Sequence, residues 1–241
     1  MGPRLRGDDE ALMGSLLQSA DIFESVVARR RSVRAFLPDP VPQALIEHVF
    51  GVAGQAPSNC NAQPWVVHVV SGEALARMRA VLLEQARAGV TDPDVPITRD
   101  YTGAYKARRI GAAVALFSAT GVGRDDDAAR TRSYLRNYEL FDAPHAAFFF
   151  MPRQFGLREA ADIGMYAQTL MLALTAHGLG SCAQGAISHY AGAVKRELGL
   201  GDDLLCLFGL SFGYPDESDS SAAAITDRAP LIDVVTFHDS L

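Results

Sequence analysis

The sequence predicts an α+β fold, with helices packed around one central sheet. Two short, continuous apolar runs, Ala146–Met151 and Leu204–Ser211, have the length and composition of fully buried strands. Longer segments carry apolar residues at helical spacing, as in Leu45, Ile46, Val49, Phe50 and Ala53. Strands and helices alternate without a regular βαβ beat, which argues against a doubly wound sheet.

In chain order, residues 1–20 are expected to be a flexible lead. A first helix is expected over Ile22–Arg30, with Asp21 as its N-cap. Pro38 and Pro40 hold the next stretch extended, and Val41-Pro42 opens a second helix. Trp65–Val70 reads as a strand and Glu73–Ala88 as a helix. Gly89–Asp100 is a loop, marked by two prolines. Tyr101–Tyr138 reads as two helices broken near Gly121-Val122-Gly123. Asp125-Asp126-Asp127 suits the positive end of the second, since acids favour a helix N-terminus. Glu159–His177 is a long, mostly apolar helix with a C-cap at Gly178. Gly178–Ala186 reads as a loop with a turn at Gly180, and Asp216–Ala224 as a flexible polar loop. Residues 21–241 are expected to form one domain.

The 241 residues are 49% apolar, enough for a substantial core. The net charge of −6, from 22 basic and 28 acidic residues, argues against general nucleic-acid binding. No segment has the roughly 20 apolar residues of a membrane span, and no signal-peptide core is evident. Three cysteines without a Cys-x-x-Cys pair suit a reducing cytoplasm. Cys60 and Cys182 are expected to be small buried fillers. The six histidines show no metal-ligand spacing, and His145, after Pro144 at a strand start, is expected to be structural. Ser58 and Ser181 lack a Gly-x-Ser-x-Gly elbow, so a hydrolase triad has little support.

Two segments carry chemistry. Arg29-Arg30-Arg31-Ser32-Val33-Arg34 groups cations and a hydroxyl suited to a small anion such as a phosphate. Its bland alternative is a solvated helix end. Ala56-Pro57-Ser58-Asn59-Cys60-Asn61-Ala62-Gln63-Pro64-Trp65 sets hydroxyl and amide groups on a backbone that proline stiffens. Gly178–Ala186 is not a Rossmann fingerprint, because it neither follows a strand nor has the glycine spacing.

The order Arg-Arg-Ser-Val-Arg-x-Phe, then Val41-Pro42, then Ala-Pro-Ser-x-x-Asn-x-Gln-Pro-Trp resembles the FMN-dependent nitroreductase family, from about Phe23 to about Asp239. The resemblance implies a mixed, mostly antiparallel sheet wrapped by helices in an intertwined homodimer with composite sites. It assigns Arg30, Arg31 and Ser32 to the phosphate and ribityl end of FMN. It places Arg34 at the pyrimidine edge and Arg228 as a second phosphate cation. Pro57, Ser58, Asn59 and Asn61 would come from the partner subunit. Ala183, Gln184 and Gly185 would lie against the flavin, a backbone N–H there facing N5. Phe141, and with it Tyr101, is expected in the substrate pocket. No side chain is expected to act as catalytic acid or base, since the flavin carries the hydride.

The implied activity is a cytoplasmic NADH- or NADPH-dependent reduction of nitroaromatic compounds, ping-pong, to hydroxylamino products. Quinone, enone or free-flavin reduction and reductive dehalogenation are alternatives on the same fold. Dehalogenating relatives tend to have histidine where Asn61 stands. A flavin-binding module without turnover is a third reading. Arg108 and Arg109 could attract acidic substrates or a nicotinamide phosphate.

Overall fold

The structure is a computed structural model that describes residues 7–98 and 100–239, with side chains from Leu17 onward. Among these described residues, four strands form one antiparallel sheet. They are β1 (Val66–Ser71), β2 (His145–Pro152), β3 (Gly180–Gln184) and β4 (Leu204–Gly213), in the order β1-β2-β4-β3. The named strands pair only antiparallel; the parallel element is a single bridge from Ser32 to Ser181. Among the described residues, seven α-helices surround the sheet: α1 (Gly7–Arg29), α2 (Gln43–Ala53), α3 (Gly72–Ala88), α4 (Gly103–Thr120), α5 (Asp127–Leu135), α6 (Leu157–Ala176) and α7 (Ala191–Leu198).

The core explains the layers. β2 lies between β1 and β4 and is buried on both faces, as its run of three phenylalanines requires. Phe149 and Ala147 face one cluster, with Ile46 and Val49 of α2 and Ile163, Leu170 and Leu174 of α6. Phe148 and Phe150 face the other, with Met78 and Leu82 of α3 and Val194 of α7. His145 is structural, as expected. Its Nε2 accepts the Val41 N–H at 2.9 Å, so Nδ1 carries the proton and donates to Ser71 Oγ at 2.5 Å. Burial pushes its pKa down.

Several expectations need correction. The first helix begins at Gly7, so Asp21 is interior and not an N-cap; no proline or helix-ending signal interrupts the run from Gly7. The lead of residues 1–20 is therefore helical from Gly7, and residues 1–6 lie outside the described residues. Gly178 does turn the chain after α6, with φ +74°, but the expected turn at Gly180 is the start of β3. The polar loop 216–224 contains a 3₁₀ turn, Ser220–Ala223, capped by Asp219. The expected break between α4 and α5 is present, and Asp126 caps α5 through the Ala129 N–H at 2.8 Å.

Candidate functional site

The arginine segment lies along the free edge of β3. After α1 the chain extends, and the Val33 N–H donates to the Ser181 carbonyl at 3.0 Å. Gly180 makes that approach possible, because a Cβ there would lie 2.7 Å from Val33 Cγ2. Phe36 then bridges to Pro215 and anchors the far end.

This placement opens a cavity of about 430 Å³ lined by Arg30, Arg31, Ser32, Arg34, Thr226 and Arg228, among others. Arg30 is partly buried and its pKa is lowered, first by desolvation and then by the charge of Arg228. Arg228 is held by its own loop, donating to the Thr226 carbonyl and Oγ1 and to the Asp227 carbonyl, each at 3.1 Å. Among the described residues, no carboxylate lines this cavity. Two converging guanidinium groups without a counter-ion are suited to a phosphate.

Arg31 behaves differently from its neighbour. Its guanidinium is paired with Glu217 and donates to the Ala222 carbonyl at 2.5 Å, which ties the segment to the 3₁₀ turn at Ser220–Ala223. Arg34 donates to the Ser32 carbonyl at 3.2 Å. It also lines a second cavity, of about 610 Å³, with Thr120, Arg132, Arg136, Asn137 and Phe141.

At the end of β3, Ala183 and Gly185 are exposed while Gln184 is buried. Gln184 is clamped on both sides: Oε1 accepts from Ser211 Oγ at 2.5 Å, and Nε2 donates to the Asn137 carbonyl at 2.7 Å. The backbone on either side of it is thereby fixed at the strand edge. Ser32, Arg30 and Arg34 all act on Cys182, yet burial dominates and raises the thiol pKa. Cys182 is the buried filler expected. Cys60 is not: it is exposed, with φ +50°, because the loop turns outward there.

The expected partner-derived loop stays away from the arginines. Asn59 donates its N–H to Asp162 of α6 at 3.0 Å, and Ser58 Oγ accepts the Gln63 N–H at 2.9 Å. Pro57, Asn59 and Asn61 are exposed, and none of residues 57–61 lines the cavities that hold Arg30, Arg31 or Arg34. Asn61 and Gln63 are also left-handed, a strained shape for non-glycine residues.

Phe141 lines the 610 Å³ cavity but is itself 4% exposed. It lies in three consecutive left-handed residues, Leu140, Phe141 and Asp142. Arg136 binds Asp142, and Arg79 binds the Ala143 carbonyl, bracing the turn. Tyr101 is exposed at the start of α4, under Arg109, and lines neither cavity. Tyr138 is core rather than pocket wall. Sequence reasoning missed Asn137 and Ser211, which immobilise Gln184, and Arg136, which supports Phe141. No local motif marks them: Asn137 and Ser211 act through contacts distant in sequence, and Arg136 reaches Asp142, 6 residues on, only through the turn between them.

The Nitroreductase family profile matches residues 27–214. The nitroreductase NfnB of Mycolicibacterium smegmatis is 39% identical over 225 residues, covering 93% of this chain and 96% of that protein. A 4-nitrobenzoate reductase of Pseudomonas putida is 34% identical, over 82% of this chain and 87% of its own. The crystal structure of the FMN-dependent NfnB from Mycobacterium smegmatis in complex with NADPH superposes with a TM-score of 0.88 at 39% identity. That match covers 91% of this chain and 99% of the other. Among the described residues, no helix is long and apolar enough to cross a membrane.

Proposed function

Because the chain belongs to the nitroreductase family, we propose that it is an FMN-dependent oxidoreductase that uses NAD(P)H to reduce nitroaromatic compounds. The observation that carries this reading is the cavity where Arg30 and Arg228 converge with no carboxylate between them. The donor set fits FMN. A phosphate neutralises the like-charged pair, and the exposed backbone at Ala183–Gly185 offers a fixed hydrogen-bonding edge.

Bound FMN supplies hydride acceptance and release, which takes electrons from the nicotinamide donor to the nitro group in two-electron stages. The chain binds and orients. Arg30 and Arg228 hold the phosphate, with Ser32 beside them. Arg31 supports the grip through Glu217 and Ala222 rather than by holding the phosphate directly. Arg34, between the two cavities, supplies positive charge at the pyrimidine edge. Clamping of Gln184 presets the Gln184–Gly185 backbone for N5. Phe141 forms part of the wall on the substrate side. No side chain is assigned as acid or base.

Residues 21–241 form the FMN-binding domain, in the cytoplasm. The exposed 57–61 loop and the exposed Phe23, Leu231, Ile232 and Phe237 support a homodimer in which Pro57, Ser58, Asn59 and Asn61 reach the partner's site. Sedimentation tests this: FMN retention should be lost when the dimer dissociates, and a stable monomer that retains FMN would refute it.

The central test is spectroscopic. Purified protein should be yellow, should bleach when NADPH is added without oxygen, and should recover colour on adding a nitroaromatic. Protein that binds FMN but is not bleached by either nicotinamide would be a non-catalytic module. Protein that takes up no FMN would overturn the reading.

A further inference from the structure

Further cavities adjoin the proposed flavin site. The cavity of Arg30 and Arg228 shares Arg34 with the 610 Å³ cavity, and that one shares Val122 with a third of about 600 Å³. The third has an apolar floor, built by Ile110, Val114 and Phe117 of α4, and a rim of Arg109, Arg124 and Arg130. Among the described residues, no carboxylate lines it. Among the described residues none of the three arginines makes an ion pair. Aromatic rings steady two of them instead: Arg109 lies 5.8 Å from the centre of Tyr101, and Arg130 lies 5.4 Å from that of Phe117. Arg130 also donates to the Arg124 carbonyl at 3.0 Å, which draws the two together.

Three cations above an apolar floor match a flat ligand that ends in a multiply charged anion. A dinucleotide, unlike a single-ring substrate, is long enough to reach from the middle cavity into the third. We propose that the third cavity binds the adenosine 2′-phosphate end of NADPH, and that Arg109, Arg124 and Arg130 set the preference for NADPH over NADH. The proposal rests on the oxidoreductase reading above.

Arg124→Gln and Arg130→Gln in the FMN-loaded protein test it. Both side chains are exposed, so folding should survive, and the flavin spectrum checks this. Two quantities are measured: kcat/KM for each donor, and the calorimetric affinity for adenosine 2′,5′-bisphosphate against AMP. Each change should lower kcat/KM for NADPH by about tenfold, the effect of one charged hydrogen bond, and leave NADH within about twofold. Affinity for the bisphosphate should fall in parallel, and that for AMP should not. Equal losses for both donors, unchanged bisphosphate binding, or an effect confined to anionic nitroaromatics would overturn it. If neither donor reduces the flavin, the oxidoreductase reading fails, while the calorimetry still decides whether the cavity binds the phosphate.

Discussion

Two desolvated cations of this molecule, Lys195 and Arg30, have pKa values shifted in opposite directions. Lys195, in α7, is pulled down by burial, but hydrogen bonds to Asp94 at 2.8 Å and Asp202 at 3.3 Å leave its pKa raised. Asp94 is itself fully engaged, accepting also from Arg153 at 3.3 Å and from the Cys206 N–H at 2.9 Å. Arg30 is pulled down by burial and further by Arg228. Lys195 is complete without any ligand and pins the 89–100 loop to the core. Arg30 and Arg228 share a cavity with no carboxylate among the described residues that line it. The contrast lies in the partners: burial lowers the pKa of both cations, and only Lys195 has carboxylates that outweigh it.

The largest effect should come from Asp94→Ala, which leaves Lys195 buried and poorly compensated. Urea denaturation should show a loss of about 3–5 kcal/mol, with FMN affinity of the folded fraction unchanged. A loss below about 1 kcal/mol would erase the scaffold half of the contrast. Arg30→Ala should do the reverse. FMN affinity should fall roughly 30- to 100-fold, about 2–3 kcal/mol, while the FMN-free protein is as stable as before or slightly more so. Equal destabilisation of the FMN-free protein would mean that Arg30 is scaffold too. Gly180→Ala sits between the two regions. Overpacking against Val33 should cost about 1–3 kcal/mol and weaken FMN binding as the arginine segment shifts. Adding Val33→Ala should restore both, and failure of that rescue would assign the cost elsewhere.

The smallest effect is one of pH, on the scaffold side. His145 is neutral and buried, with its pKa below the unfolded value of about 6.5. Its contribution is full above that value and is lost as pH falls through the folded pKa, because the unfolded chain binds the proton first. The urea midpoint should drop on acidification from pH 7 to pH 5, and His145→Asn should flatten that slope. An unchanged slope would exclude His145 as its source.

What could be read in the chain divides along physical lines. β2 was legible because three phenylalanines in an apolar run have no stable place except a doubly covered strand. β3 was not, because Gly180, Ser181, Cys182 and Ala183 carry no β-branched or aromatic side chain; the strand exists through pairing with β4. The arginine motif located the cavity at the edge of β3, but local sequence could not separate Arg30 from Arg31. That depends on Glu217, which folding delivers from far along the chain. The left-handed turn at Phe141 carries no glycine or asparagine to announce it, and it is braced by nearby Arg136 and by Arg79 from far along the chain. Cys60 was misjudged because small cysteines favour interiors, whereas its loop points outward.

The bare edge of β3 has a further consequence. Among the described residues, β3 pairs with β4 on one side and meets only the Ser32 bridge on the other. An unpaired strand edge is a template for another chain to add to. A newly made polypeptide that lacks flavin would expose that template, so the vitamin supply of the producing cell should govern how much protein escapes aggregation. Growth with added riboflavin should raise the yield of recoverable protein, and the gain should come from fewer inclusion bodies rather than from faster synthesis.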